Sequence, residues 1–122
     1  MVRDPIATNE KGELVCVGEV TSNTVLDILK GEEANLIQSA KDAAIIALKD
    51  SSKPHTAIII DCISRVLFLE DHFQKELNGV IEQLQTKNDQ MQISGALTLG
   101  EISSFNGYLE FFNKTIVVGL FD

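Results

Sequence analysis

The sequence predicts an α+β domain: helices packed on a mostly antiparallel sheet, in the order β-α-α-β-α-β-β, ending in a β-hairpin. Three observations carry that reading. Short apolar runs recur along the chain, bounded by Gly, Asn, Ser or Pro. Between them lie stretches whose apolar residues repeat at helical spacing. Near the C-terminus an Asn-Gly pair separates two strand-like runs, a strong local signal for a hairpin.

The elements follow in order. "ELVCVGEV" (13–20) reads as a first strand after the turn-forming "NEKGE". "TSNTVLDILKG" reads as a short helix, with Ser22 as N-cap, Val25, Leu26 and Leu29 on one side, and Gly31 as its stop. A second helix spans "EEANLIQSAKDAAIIALK", which opens on two acids and closes on Lys49, as the helix dipole favours. Its Ile37, Ala40, Ala44 and Leu48 share a face, and the alanines permit close packing on a sheet. "HTAIIIDCI" (55–63) reads as a strand. The unbroken apolar run at 57–60 places it at the sheet centre, covered on both faces. "LEDHFQKELNGVIEQLQ" reads as one long helix with Phe73, Leu77, Val80, Ile81 and Leu84 as its apolar stripe. "QISGALTLGEI" is the next strand, and "YLEFFNKTIVVGLF" one long or two broken strands after the "SSFNG" loop.

A chain of 122 residues is one domain over 1–122, long enough to bury about two thirds of its unfolded surface. Its charge balance narrows the partners. Ten Lys and Arg are scattered among eighteen Asp and Glu, for a net charge of −8, whereas phosphate backbones and anionic membranes call for clustered cations. Nucleic acid is therefore not an expected partner. No segment approaches the roughly 18 apolar residues of a membrane span, and the first residues lack the apolar core of a secretory signal. Cys16 and Cys62 then read as buried free thiols in a cytoplasmic protein. The charged, Pro-containing start, and an end two residues after an apolar strand, suggest a module of a longer protein.

Signatures of known catalysis are missing: no phosphate-binding loop, paired CxxC, HExxH or GxSxG occurs. His55 and His72 have no second imidazole or thiol at metal-ligand spacing, so neither a metal nor another cofactor is expected. Cys62 has two readings. With Arg65 three residues on, it is either a thiol held as thiolate by that cation or a small buried hydrophobe at the strand end. Asp61 pairs locally with Arg65 on a solvated rim, a contact of little energetic worth. Glu101 also has two. Gly100 leaves room for a ligand to approach it, or the glycine relieves a β-bulge and Glu101 faces water. Phe105 and Tyr108 flank the Asn-Gly turn and either cover a pocket or fold back onto the core.

The combination of "DCISR", "GALTLGEISSFNG" and "LEFFNKT" resembles the C-terminal half of the FIST family of sensory modules. Family members are similar in carrying a Ser/Asp-Cys-x-Gly-Arg strand end, a Gly-Glu-Ile element, a downstream Gly, and Asn-x-Thr before the last strand. The opening "DPIATNEKGELVCVGEV" is similar to the start of that half, so the likeness spans nearly the whole chain. The resemblance implies a non-enzymatic intracellular sensory domain that binds a small ligand such as an amino acid. Its partners would be the N-terminal FIST half and output signalling domains. Carried over by position, the motif residues are Cys62, Arg65, Gly100, Glu101, Gly107 and Asn113. The chain departs from the pattern at Ser64, where glycine is usual, and Ser64 fills space that a ligand or turn would use.

On this reading Arg65 pairs with a ligand carboxylate and Glu101 accepts from its ammonium. A second reading is a protein-interaction or homodimerisation module, in which the exposed final hairpin pairs with a partner's sheet edge. A third is an enzyme using Cys62 with Glu101 as acid or base. It carries the least support, since no histidine lies near Cys62 in the sequence.

Overall fold

The computed structural model describes residues 2–105 and 107–122. Two short strands open it. β1 (Pro5–Thr8) and β2 (Leu14–Cys16) pair antiparallel. Asn9 organises the turn between them, its side-chain oxygen accepting from the N–H groups of Lys11 at 3.0 Å and Glu13 at 2.9 Å. The strand expected over 13–20 is thus shorter, and residues 5–8 supply its partner. Residues 22–31, expected as a short helix, contain none. Val25, Leu26, Ile28 and Leu29 lie exposed, so no buried apolar face offsets the cost of nucleating a helix there.

α1 (Glu33–Asp50) forms where the alanine-rich pattern places it. The main sheet has the order β4-β3-β7, with β4 spanning Gln92–Thr98, β3 Thr56–Cys62 and β7 Ile116–Phe121. β3 is central, as its apolar run predicts. It pairs parallel with β4 and antiparallel with β7. A parallel pair needs a crossover, and here it is helical: α2 (Ile63–Leu69), a 3-10 turn at Glu70–His72, and α3 (Phe73–Gln85). The long helix expected over 69–85 forms as the 3-10 turn and α3, whereas α2 before it was not expected. Glu70 separates the two, adopting a positive φ of 48° while its N–H closes on the Val66 carbonyl and ends α2.

The registers sort side chains by face. Ala57, Ile59 and Asp61 of β3 share a side with Ile93, Gly95 and Leu97 of β4 and with Leu120, Val118 and Ile116 of β7. α1 and α3 pack on that side. Ala40 and Ala44 are fully buried against the sheet, as are Val80 and Leu84 of α3. Phe73, Leu77 and Ile81 form a second row on α3 directed at β4. The opposite face differs from the expectation of cover on both sides: Ile58 is 38% exposed, and Ala96 and Phe121 are also exposed.

β4 stops at Thr98. β5 (Glu101–Phe105) starts after a break at Leu99–Gly100 and pairs antiparallel with β6 (Tyr108–Phe112). The expected hairpin is formed, although Asn106 of its Asn-Gly turn lies outside the described residues. Ile102, Tyr108 and Leu109 stand exposed on it. The final apolar run is two strands, and β7 rejoins the main sheet after a turn in which Lys114 has φ 58°. The molecule is a mixed α+β fold in which antiparallel pairs outnumber the parallel one.

Candidate functional site

Consecutive side chains of a strand point to opposite faces, and at the end of β3 each face holds its own polar cluster. On the helix side, Arg65 of α2 is 3% exposed and Glu76 of α3 fully buried. The guanidinium donates from Nε to Glu76 Oε1 at 3.1 Å and from Nη2 to Glu76 Oε2, a bidentate fork. It also donates to the carbonyls of Leu36 at 2.8 Å and Lys114 at 3.0 Å. Four of the five N–H donors a guanidinium carries are thereby used.

Asp61 lies beside this pair, 2% exposed, with Oδ1 3.5 Å from Arg65 Nε. Neither of its carboxyl oxygens has a hydrogen-bond partner among the described residues. Its environment is buried, not the solvated rim that the sequence led us to expect. Burial, followed by the neighbouring Glu76 charge, pushes its pKa up to about 7. Arg65 and the Cys62 N–H pull the other way, and that N–H is already donated to Thr115 O at 3.1 Å.

Glu101 occupies the other face. It is 2% exposed and accepts from Thr98 Oγ1 at 2.6 Å through Oε1, while Oε2 has no partner within hydrogen-bond distance among the described residues. Burial raises its pKa, against the Thr98 hydroxyl, the Cys62 thiol and the Thr115 main chain, which lower it. Cys62 is 1% exposed, with Sγ 3.1 Å from Ser64 Oγ. Ser64 therefore meets the thiol in the space that a glycine would leave open.

Gly100 has φ 153°, and the room beside it is filled by the Phe111 ring and by Asn113 Nδ2 at 3.0 Å. Asn113 is buried. It donates to Leu99 O and accepts from the Asp4 N–H, both at 3.3 Å, and so ties the N-terminal segment to the β4–β5 break. Asp4 adds an ion pair with Lys114 at 3.0 Å. Gly107 stands in the hairpin turn, and apart from its chain neighbours no described residue comes within 4 Å of the position of a Cβ. The fold thus gathers Cys62 and Glu101 with Thr98 and Ser64, sets Gly100 and Asn113 at the border, and leaves Arg65 on the far side of β3 and Gly107 apart. Both cysteines are free thiols.

The family model for the FIST C domain matches residues 1–104. This chain belongs to the FIST C domain family. Membership suggests a sensory domain of a signalling protein. No curated protein and no solved structure matches the chain. In this FIST C domain no helix among the described residues is long and apolar enough to cross a membrane. Nor do the described residues group three or more His, Cys, Asp or Glu in a way that could hold a metal ion.

Two residues of the FIST C corner escaped the sequence reading. Glu76 carried a signal: three residues after Phe73 and four before Val80, it is a carboxylate on an apolar helix stripe. Thr98 carried none beyond its place at a strand end. The raised pKa of Asp61 fixes a sign. The folded state holds a proton there that the unfolded chain releases near its ordinary value of 3.8. Its contribution to stability is therefore full at low pH and is lost as pH rises through about 7. Asp61→Asn should flatten the fall in urea midpoint between about pH 4 and pH 7. An unchanged slope would mean that Asp61 is not the titrating group.

Proposed function

We propose that the protein is a non-enzymatic sensory domain of a cytoplasmic signal-transduction protein, and that it binds a small ligand carrying an ammonium group, such as an amino acid, at the Glu101 corner. One observation carries this reading: Glu101 is buried, yet Oε2 has no hydrogen-bond partner among the described residues. A buried carboxylate oxygen without a donor costs free energy, and a ligand ammonium supplies both the donor and the counter-charge. The corner also lies beyond the carboxyl ends of the parallel strands β3 and β4, where open sheets with helical crossovers commonly seat ligands.

Arg65 takes a changed role in this proposal. With its donors given to Glu76, Leu36 O and Lys114 O, it holds the corner together, and recognition rests on Glu101. Partners implied by the family are an N-terminal FIST half and output domains. The non-enzymatic reading is supported by the surroundings of Cys62. His55 precedes the opposite end of β3, about 20 Å away at a strand's rise per residue, and His72 pairs with Glu33 at 2.6 Å.

A thermal-shift screen of the purified protein against amino acids tests the reading, since a ligand of the folded state alone raises Tm by mass action. At least one amino acid is expected to raise it, and Glu101→Gln should weaken that ligand about tenfold or more. A response of unchanged size in Glu101→Gln, or no response from any amino acid, would overturn it.

A further inference from the structure

A groove of about 320 Å³ runs between α3 and β4 on the helix side of the sheet, across β3 from Glu101. Its walls are apolar. Phe73, Leu77 and Ile81, one turn apart along α3, face Ile93 and Leu97 of β4. Asp61 is the one ionisable side chain in this lining, and the register sets it beside Leu97, at the end away from Ile93.

We propose that this groove binds a small apolar ammonium ion, its N–H groups donating to Asp61 and its hydrocarbon body lying between α3 and β4. The built polar feature is the Asp61 carboxyl, 2% exposed, with neither oxygen hydrogen-bonded among the described residues. The groups facing it are Glu76 from α3, Arg65 from α2 and, more weakly, Glu101 from β5. Arg65 is engaged by Glu76 and by two carbonyls, so Asp61 remains an unmet acceptor for a cation. The lining holds no Lys or Arg. A free amino acid would therefore set its own carboxylate against Asp61 and Glu76, and the groove favours an amine without one. Its volume lies at the small end of the range for small-molecule sites, roughly 300 Å³ and upward.

Phenethylammonium and its uncharged counterpart phenethyl alcohol, titrated calorimetrically into the protein, provide the test. The ammonium should bind about tenfold or more tightly than the alcohol, and Asp61→Asn should remove that preference. Because Asp61 titrates near pH 7, ammonium binding to the wild-type protein should release close to one proton at about pH 6 and almost none at about pH 8.5. Buffers of different ionisation enthalpy report that proton without any variant. Equal binding of the alcohol, an undiminished preference in Asp61→Asn, no proton released at the lower pH, or no binding of the ammonium would each overturn the proposal.

Discussion

Replacing Glu76 by alanine is expected to lower the unfolding free energy by about 3–5 kcal/mol, the usual cost of removing one partner from a buried ion pair. Arg65, 3% exposed, would keep its charge inside the fold with only the Leu36 and Lys114 carbonyls and the poorly placed Asp61 to meet it. Against a total stability on the order of 5–15 kcal/mol for a domain, that loss brings the chain close to unfolding. Urea denaturation followed by circular dichroism measures it as a drop in midpoint at constant slope. The double variant Arg65→Met with Glu76→Leu should recover much of the loss, because it removes both charges and keeps the volume. A Glu76→Ala loss below about 1 kcal/mol would place the pair among solvated ion pairs.

Gly100→Ala should cost about 1–3 kcal/mol from overpacking alone. A Cβ there would overlap the end of the Phe111 ring, and φ 153° adds strain for any residue with a side chain. The variant also separates two accounts of this glycine. If Gly100 is there for the ring, shortening the ring to Phe111→Leu should restore part of the loss in the double variant, read from the same urea midpoints. If the φ of 153° is what requires a glycine, the double variant should stay as unstable as the single one.

Several parts of this architecture were legible in the chain. The alanines of α1 and the Val80 and Leu84 pair of α3 pack where their spacing puts them, and the apolar run at 57–60 does run down the sheet centre. Periodicity reports which face of an element is apolar, and that suffices where a neighbouring element takes up the face. It misled at 22–31, where Val25 and Leu29 are well spaced but nothing among the described residues buries them. It also missed α2, whose start at Ile63 follows directly on the strand, and the break at Glu70, which depends on one backbone dihedral. At the candidate site, the acids and the cation were visible but their pairing was not. Arg65 meets a carboxylate eleven positions on and carbonyls far from it in the chain, and sequence spacing carries no signal for such contacts. The burial of Asp61 and Glu101 follows from the same tertiary closure.

That closure also bears on the order of folding. The donors of Arg65 reach 29 residues back to Leu36, 11 on to Glu76 and 49 on to Lys114. No local segment contains the set, so the corner closes only once α1, α3 and the turn before β7 have converged, and those long loops carry their closure entropy first. The unusual proton affinities of Asp61 and Glu101 therefore belong to the completed fold, and the titration of Asp61 would serve as a clock for the last stage of assembly.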